Sequence, residues 1–310
     1  MRVERLAHNP IIRPEMLPGN DGANINGPSL IRVPDWVEGR MGVYHLYFAH
    51  HQGTYIRLAY ADHLEGPWTI YRPGTLRLED APGCRHHIAS PDVHVDHDRR
   101  ELRMYFHGPT KLDRDHRQQT FVAVSHDGVH FDATDQALGR PYWRAFPWNG
   151  WWYAMARHGV LYRSRDGLND FEEGPSPFHR RSLVAKLKRR VFGSSGAPGT
   201  SLRHLAVHRH ADTLWTLFTN IGDRPERILG CRIALSRDWA RWKTSPPDEV
   251  IRPEASWEGA QLPVTPSRPG AATGPEHALR DPAVFAEDER VFVLYSVAGE
   301  SGIAIAEWRP

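Results

Sequence analysis

Histidine is the residue type to start from. The chain holds 19 histidines in 310 residues, so where they gather matters. His50-His51, His86-His87, His107 and His204 all sit beside sequence signals for strand ends. Imidazole exchanges a proton near neutral pH, which suits general acid–base work. Arg144, Arg203 and Arg280 stand in similar contexts. A guanidinium there can grip a carboxylate, sulfate or phosphate in a two-pronged fashion, or steady a developing oxyanion. Asp92, Asp281, Glu226 and Glu276 could orient an imidazole or act as acids. Asn26 and Trp143 join the set as substrate contacts. The chemistry in view is proton transfer on an anionic or sugar-like small molecule or oligosaccharide. One lone histidine on a loop is usually just solvated. The set means more if the fold brings its members to one face.

Two copies of one phrase identify the scaffold. His86 to Pro109 reads as a short buried strand, a charged turn and an alternating strand ending in Tyr105-Phe106. The same phrase returns at Leu279-Arg280-Asp281-Pro282-Ala283-Val284-Phe285 and on to Glu300. Period-two segments such as Val43 to Phe48 read as half-buried strands. The 25 Pro and 26 Gly are spread along the chain as turn punctuation. First strands recur near Pro28, Pro91, Ala145, Leu205 and Pro282, each opening a group of about four strands. This predicts an all-β, single-domain five-bladed β-propeller with four-stranded blades. Expected blades are 24–78, 86–138, 140–178, 200–250 and 276–310. The last lacks an outer strand, and residues 2–7 would supply it, closing the ring and removing an open edge. Within blade 4, Trp239 to Lys243 reads as the outer strand.

Bulk properties narrow the partners. Net charge is +2, so no global basic footprint for nucleic acid exists. Lys186, Lys188, Arg189 and Arg190 form a basic stretch that could meet an anionic partner, but such a stretch is more often a solvated connection. Two distant cysteines, Cys84 and Cys231, give neither a disulfide framework nor a zinc ribbon. With no signal-peptide pattern at the N-terminus and no long apolar run, a soluble cytoplasmic protein is expected. The long Pro/Gly-rich connection from Pro253 to Pro275 reads as a functional or a disordered loop.

In a propeller, inner-strand starts and the loops between second and third strands share one end of the ring. Sorting by that rule gives the mouth Asn24, Asn26, His86, His87, Asp92, Trp143, Arg144, Arg203, His204, Glu276, Arg280 and Asp281 from the strand starts. The loops add His50, His51, Tyr55, His107, Glu226 and Glu300. His86, His87, His107 and His204 could also hold a divalent metal in the channel, with ligands drawn from different blades.

Gly27-Pro28-Ser29-Leu30, Ala89-Ser90-Pro91-Asp92-Val93 and Arg280-Asp281-Pro282-Ala283-Val284-Phe285 resemble motifs of the propeller glycosidases of family 43 and its relatives. Tyr60-Ala61-Asp62 before Gly66-Pro67-Trp68 resembles that family's outer-strand phrase. The resemblance spans nearly the whole chain and implies a five-bladed propeller and glycoside hydrolysis. It also implies carboxylates in blades 1, 3 and 4. This sequence has Asn26-Gly27, Trp143-Arg144 and Leu202-Arg203-His204 there instead. Asp92 and Asp281 alone match motif positions. Three readings follow: a hydrolase with an atypical His/Arg/Asp site, a lyase or isomerase using a histidine base, and a non-catalytic sugar-binding propeller. In the last, Tyr55, Trp143, Trp148, Trp151 and Trp152 would stack on sugar rings.

Overall fold

Strand alternation sends successive side chains to opposite faces, and here both faces are buried. Leu46 and Phe48 pack with Phe292 and Leu294, whereas Tyr47 between them packs with Leu102 and Met104. Tyr153 and Met155 likewise face Leu214 and Phe218, while Ala154 faces Tyr105. Each second strand thus feeds two cores. A sheet with apolar residues on both faces must be covered on both sides. Repeating that demand around a closed ring gives five apolar cores, one between each pair of neighbouring sheets.

A computed structural model describes residues 2–111, 117–178 and 202–310. The basic stretch at Lys186–Arg190 lies outside the described residues. The chain forms five four-stranded antiparallel sheets, a five-bladed β-propeller. Blade 1 is Asn26–Arg32, Tyr44–Ala49, Arg57–Ala61 and Thr69–Tyr71. Blade 2 is Ala89–Asp96, Glu101–Pro109, Gln118–Ser125 and Asp132–Ala133. Blade 3 is Arg144–Trp148, Trp151–Met155, Leu161–Ser164 and Glu172–Glu173. Blade 4 is Leu202–His210, Thr213–Asn220, Ile228–Ala234 and Asp248–Ile251. Blade 5 is Arg280–Glu287, Arg290–Ser296 and Ile303–Arg309, completed by Arg2–Arg5. Arg2 pairs with Arg309 and Arg5 with Ala306, so the N-terminal strand closes the ring as expected. Among the described residues no helix is long and apolar enough to cross a membrane.

One strand assignment is corrected. Trp239–Arg241 is a 3-10 turn, and the outer strand of blade 4 is Asp248–Ile251. The Asp238 carboxylate accepts from the Ala240 amide at 3.2 Å, starting the turn. Trp239 and Trp242 then bury their rings beside Tyr153, which outweighs their preference for strand.

A second repeated phrase links neighbouring blades. Ser125-His126-Asp127-Gly128 and Ser164-Arg165-Asp166-Gly167 both follow third strands. Asp127 Oδ1 accepts from the Val129 and His130 amides at 2.8 Å, and Asp166 Oδ1 from Leu168 and Asn169 at 2.8 and 2.9 Å. These tight turns present the Gly128 and Gly167 carbonyls to the preceding blade. Tyr47 donates to the first at 2.7 Å and Tyr105 to the second at 2.6 Å. A buried tyrosine hydroxyl needs such a partner.

Candidate active site

The mouth is built by a backbone device that four blades share. Gly27, Ser90, Tyr142 and Asp281 have φ of 61°, 49°, 64° and 47°. Two residues after each, at Ser29, Asp92, Arg144 and Ala283, regular pairing with the second strand begins. In blades 1, 2 and 5 this is a register shift, or bulge, which re-aims side chains at strand ends. Ser90, Tyr142 and Asp281 thereby line one pocket, and blade 4 adds His204. Asn26, His50, His51, Gln52, His87, His107 and Gln118 complete its wall. Five imidazoles from three blades therefore surround one small space.

Two of them are paired with carboxylates. His204 Nδ1 lies 2.9 Å from Asp281 Oδ1. The approach is off the line of a straight hydrogen bond, so it acts mainly as charge on imidazole. Ser296 Oγ donates to the other Asp281 oxygen at 3.2 Å. Burial would raise the Asp281 pKa, but His204, Arg203 and His51 outweigh it and hold the carboxyl below its ordinary range. His51 Nδ1 lies 3.3 Å from Glu300 Oε2. Glu300 raises the His51 pKa above its usual value against the opposing effect of burial. Burial alone would raise the Glu300 pKa, yet the hydrogen bond with His51 brings it down despite the nearby Asp281 charge. Asn24 Nδ2 also donates to Glu300, and Asn24 Oδ1 accepts from the His51 amide at 2.8 Å, fixing the loop that carries His51.

The remaining imidazoles are pushed the other way. Burial holds His107 well below its usual pKa, reinforced by His87, His51 and His204. Its ring lies 4.2 Å from that of Tyr142, which lies 5.5 Å from His204. His50 falls to about 4 through burial and then the Arg57 guanidinium, which contacts its Nδ1 at 2.5 Å. His87 is lowered by burial and by His51, and Gln118 Nε2 lies 3.3 Å from its Nε2. One pocket thus holds an imidazole whose pKa is raised and three whose pKa values are lowered.

Other residues expected at the mouth have different roles. Asp92 lies farther down the channel, accepting from the Ala145 amide at 2.7 Å and pairing with His94 at 2.8 Å. Burial would raise its pKa, but the His94 charge and hydrogen bond lower it. Arg144 donates to the Pro91 and Leu205 carbonyls at 2.8 and 3.1 Å, tying three blades together. Trp143 is buried against Tyr105, Tyr162 and Phe171. Trp148, Trp151 and Trp152 line a recess at the far end of blade 3's inner strand. Tyr55 donates to Asp21 at 2.6 Å. His86 is exposed and lines a neighbouring recess, because its left-handed backbone (φ 68°) turns it outward. Glu226 is fully buried between Arg203 at 3.2 Å and Arg280 at 2.8 Å. Arg280 also holds Glu276 at 2.5 Å and Glu300 at 3.4 Å. Arg203 donates to the Arg268 carbonyl at 2.8 Å and to that of Gly270. This ion network anchors the connection after blade 4 over the mouth and supports Glu300 from behind. The motif reading missed Ser90, Tyr142, Gln52 and Gln118, although the Ser90-Pro91 and Asp281-Pro282 dipeptides mark the shared bulge.

Among the described residues no group of three or more His, Cys, Asp or Glu is placed to hold a metal ion. His86 points away, and His51 and His204 each turn one ring nitrogen to a carboxylate. The four histidines offered as possible ligands, His86, His87, His107 and His204, are thus not gathered into one ligand group among the described residues.

No protein-family model matches the sequence. Uncharacterized protein R118 of Acanthamoeba polyphaga mimivirus is 38% identical over 327 residues, covering 97% of this chain and 89% of that protein. The chain belongs to that protein's family. Solved structures at lower identity share its fold. A glycosyl hydrolase from Bacteroides ovatus superposes with a TM-score of 0.68 at 11% identity, over 100% of this chain and 94% of its own. The family-43 β-xylosidase/α-arabinofuranosidase CoXyl43 from a compost metagenome, complexed with xylotriose, gives 0.60 at 11%, over 99% and 95%. A Xanthomonas citri family-43 enzyme, also with xylotriose, gives 0.59 at 12%, over 92% and 87%. The fold is that of the family-43 propellers, as the motifs implied.

Packing explains one departure from the family pattern. At Gly27 a Cβ would meet Ser90 Cα at 3.2 Å and Ser90 Oγ at 3.4 Å, in a left-handed conformation. A side chain at position 27 would press on Ser90 of blade 2.

Proposed function

We propose that this chain is a carbohydrate-active enzyme that cleaves a sugar or sugar-like substrate by imidazole acid–base transfer, as a hydrolase of atypical site. The observation that carries this reading is the pair of His–carboxylate couples, His204–Asp281 and His51–Glu300, on one pocket. Two imidazoles on one pocket, each beside a carboxylate, can take opposite acid–base roles. His51, proton retained beside Glu300, donates to the leaving oxygen. His204, steadied at Nδ1 by ionised Asp281, accepts a proton at Nε2 from the attacking water. His50, His87 and His107 stay neutral and offer hydrogen bonds to hydroxyls. Asp281 and Glu300 are both engaged by partners, so a double displacement through a carboxylate nucleophile is not served.

Elimination is the second reading, since the same acid–base pair could remove a carbon-bound proton and no free carboxylate is needed. Pure binding is less well supported, because the four tryptophans that would stack on sugar rings lie away from the pocket. Neutral and uronic-acid oligosaccharides incubated with the protein and followed by mass spectrometry separate the readings. Products that gain a water mark hydrolysis. Products without mass gain but with new ultraviolet absorbance mark elimination. Ligands bound with no product across the panel overturn the enzyme reading.

The acid role of His51 has a pH consequence. Activity needs the protonated ring, so it falls as pH rises through a pKa that Glu300 has raised. Glu300→Gln removes that charge and moves the alkaline limb of the kcat/KM profile towards lower pH. An unmoved limb assigns the proton to another group.

A further inference from the structure

We propose that the far end of the ring, between blades 3 and 4, carries a second binding site, separate from the imidazole pocket, for a stretch of saccharide bearing carboxylate or sulfate groups. The saccharide half of this statement rests on the function proposed above. Topology keeps the two sites apart. Blade 3's inner strand leaves the mouth at Arg144, beside Tyr142 of the pocket, and ends at Trp148. That strand alone covers about 13 Å, more than a sugar ring spans. Trp148 pairs with Trp151 across the Asn149-Gly150 turn, and its Nε1 donates to Asp212 of blade 4 at 2.9 Å. The recess formed there has about 420 Å³, within the roughly 300–1,000 Å³ of small-molecule sites.

Charge gives the first argument. Arg165, from the turn after blade 3's third strand, and Arg209, near the end of blade 4's inner strand, are exposed and line the recess. Their hydrogen bonds end on the Gly150 and Ala211 carbonyls at 3.3 and 3.2 Å. Among the described residues neither has a carboxylate oxygen within 4.0 Å. Asp166 and Asp212, the acids nearest to them in sequence, are engaged by the Leu168 and Asn169 amides and by Trp148. Other arginines at this end have a counter-ion: Glu287 for Arg32, Asp96 for Arg103 and Glu307 for Arg290, each at 2.6 Å. The arginines expected to hold an anion at the mouth, Arg144, Arg203 and Arg280, are buried and bonded to protein groups. Lys111, Arg117, Phe178 and Leu202, which border the undescribed residues, belong to the mouth end, across the ring from this recess.

Order gives the second. The Arg165 guanidinium lies 3.6 Å from the Trp151 ring centroid, and that of Arg163 lies 4.4 Å from the same ring. Glu172 holds Arg163 in turn at 2.8 Å. A guanidinium stacked on an indole still presents its N–H edge, and it loses little freedom on gripping an oxyanion. Trp148 and Trp152, both half-buried, add apolar surface, and Asn149 adds an amide. Such a mixture meets the C–H faces, hydroxyls and acidic groups of a charged sugar. A peptide bound in extended form needs a sheet edge or a groove, which a hairpin tip does not supply.

Isothermal titration calorimetry with tetragalacturonate, a sulfated galactotetraose and neutral galactotetraose tests this, using the wild type and an Arg165→Gln/Arg209→Gln double variant. At least one charged tetrasaccharide is expected to bind about fivefold or more tighter than the neutral one, with affinity falling as salt rises. Which of the two it is tells carboxylate from sulfate. The double variant is expected to lose that preference while keeping the wild-type turnover of any saccharide cleaved. Equal binding of charged and neutral saccharides overturns the proposal, as does absence of charged-saccharide binding at about 10 mM. A preference that survives the double variant also overturns it, by placing the charged groups elsewhere on the ring. Should the double variant fail to fold, Arg209→Gln alone decides, because that side chain donates only to a carbonyl of its own turn. It should weaken charged-saccharide binding about twofold or more, and unchanged binding overturns the site. Charged-saccharide binding lost in the variant, with no turnover by either protein, would sink the catalytic reading alone; turnover of saccharides with no charge preference in binding would sink this one alone.

Discussion

Asp281→Asn lowers turnover by about 10²-fold or more, and His204→Ala does so to a similar extent, because a positioned acid–base group contributes about 10²–10⁴. The asparagine change keeps shape and volume. It also keeps the backbone, since Asn accepts the left-handed conformation that Asp281 adopts at φ 47°. What it removes is the negative charge 2.9 Å from His204 Nδ1. Without that charge the imidazolium formed by proton uptake at Nε2 loses its partner. The loss should therefore fall on kcat more than on KM. Residues acting as one unit are not additive, so the double variant should be little worse than His204→Ala. The saccharide identified by mass spectrometry serves as substrate, and circular dichroism checks that both variants fold. Full activity in both variants would remove His204–Asp281 from the mechanism.

The propeller was legible because its signals are local. Period-two apolar runs, proline-led strand starts and turn residues each report on a few consecutive positions. Their fivefold recurrence specifies the ring, including the N-terminal strand in blade 5. The Trp239 segment misled for a physical reason: tryptophan favours strands on average, yet here an aspartate cap and two burial sites fold it into a turn. The mouth was legible as a set of histidines, since topology alone assigns strand starts and neighbouring loops to one end. Side-chain commitments were not legible. Nothing near Glu226 in sequence announces that Arg203 and Arg280, on other blades, enclose it. Nothing near Arg144 announces that its donors end on Pro91 and Leu205. Such pairings depend on distances across the ring, which no local stretch of sequence reports.

The same dependence makes one buried carboxylate outside the site the chief expected stability determinant of ring closure. Glu258 is fully buried. Its Oε1 accepts from Arg5 Nε at 2.8 Å and from Tyr295 Oη at 3.0 Å. Its Oε2 accepts from Arg5 Nη2 at 3.0 Å and from the Glu254 and Ala255 amides at 2.8 and 2.9 Å. One side chain therefore joins the closing strand, the connection after blade 4 and the second strand of blade 5. Glu258→Ala leaves a buried hydroxyl, two amides and a partly buried guanidinium without their acceptor. Breaking a buried pair in this way costs about 3–5 kcal/mol. For a chain of this length that is a fall in Tm of roughly 5–8 °C. Arg5→Ala should cost less, because Glu258 keeps its other three donors. The double variant should cost less than the two single changes together, since Arg5→Ala alone leaves the buried Glu258 charge without its cation, whereas Arg5 keeps Glu254 at 2.9 Å when Glu258 is removed. Thermal unfolding followed by tryptophan fluorescence measures all three. A Glu258→Ala Tm within about 1 °C of the wild type would mean that the apolar core between blades 4 and 5 holds the ring shut without this contact.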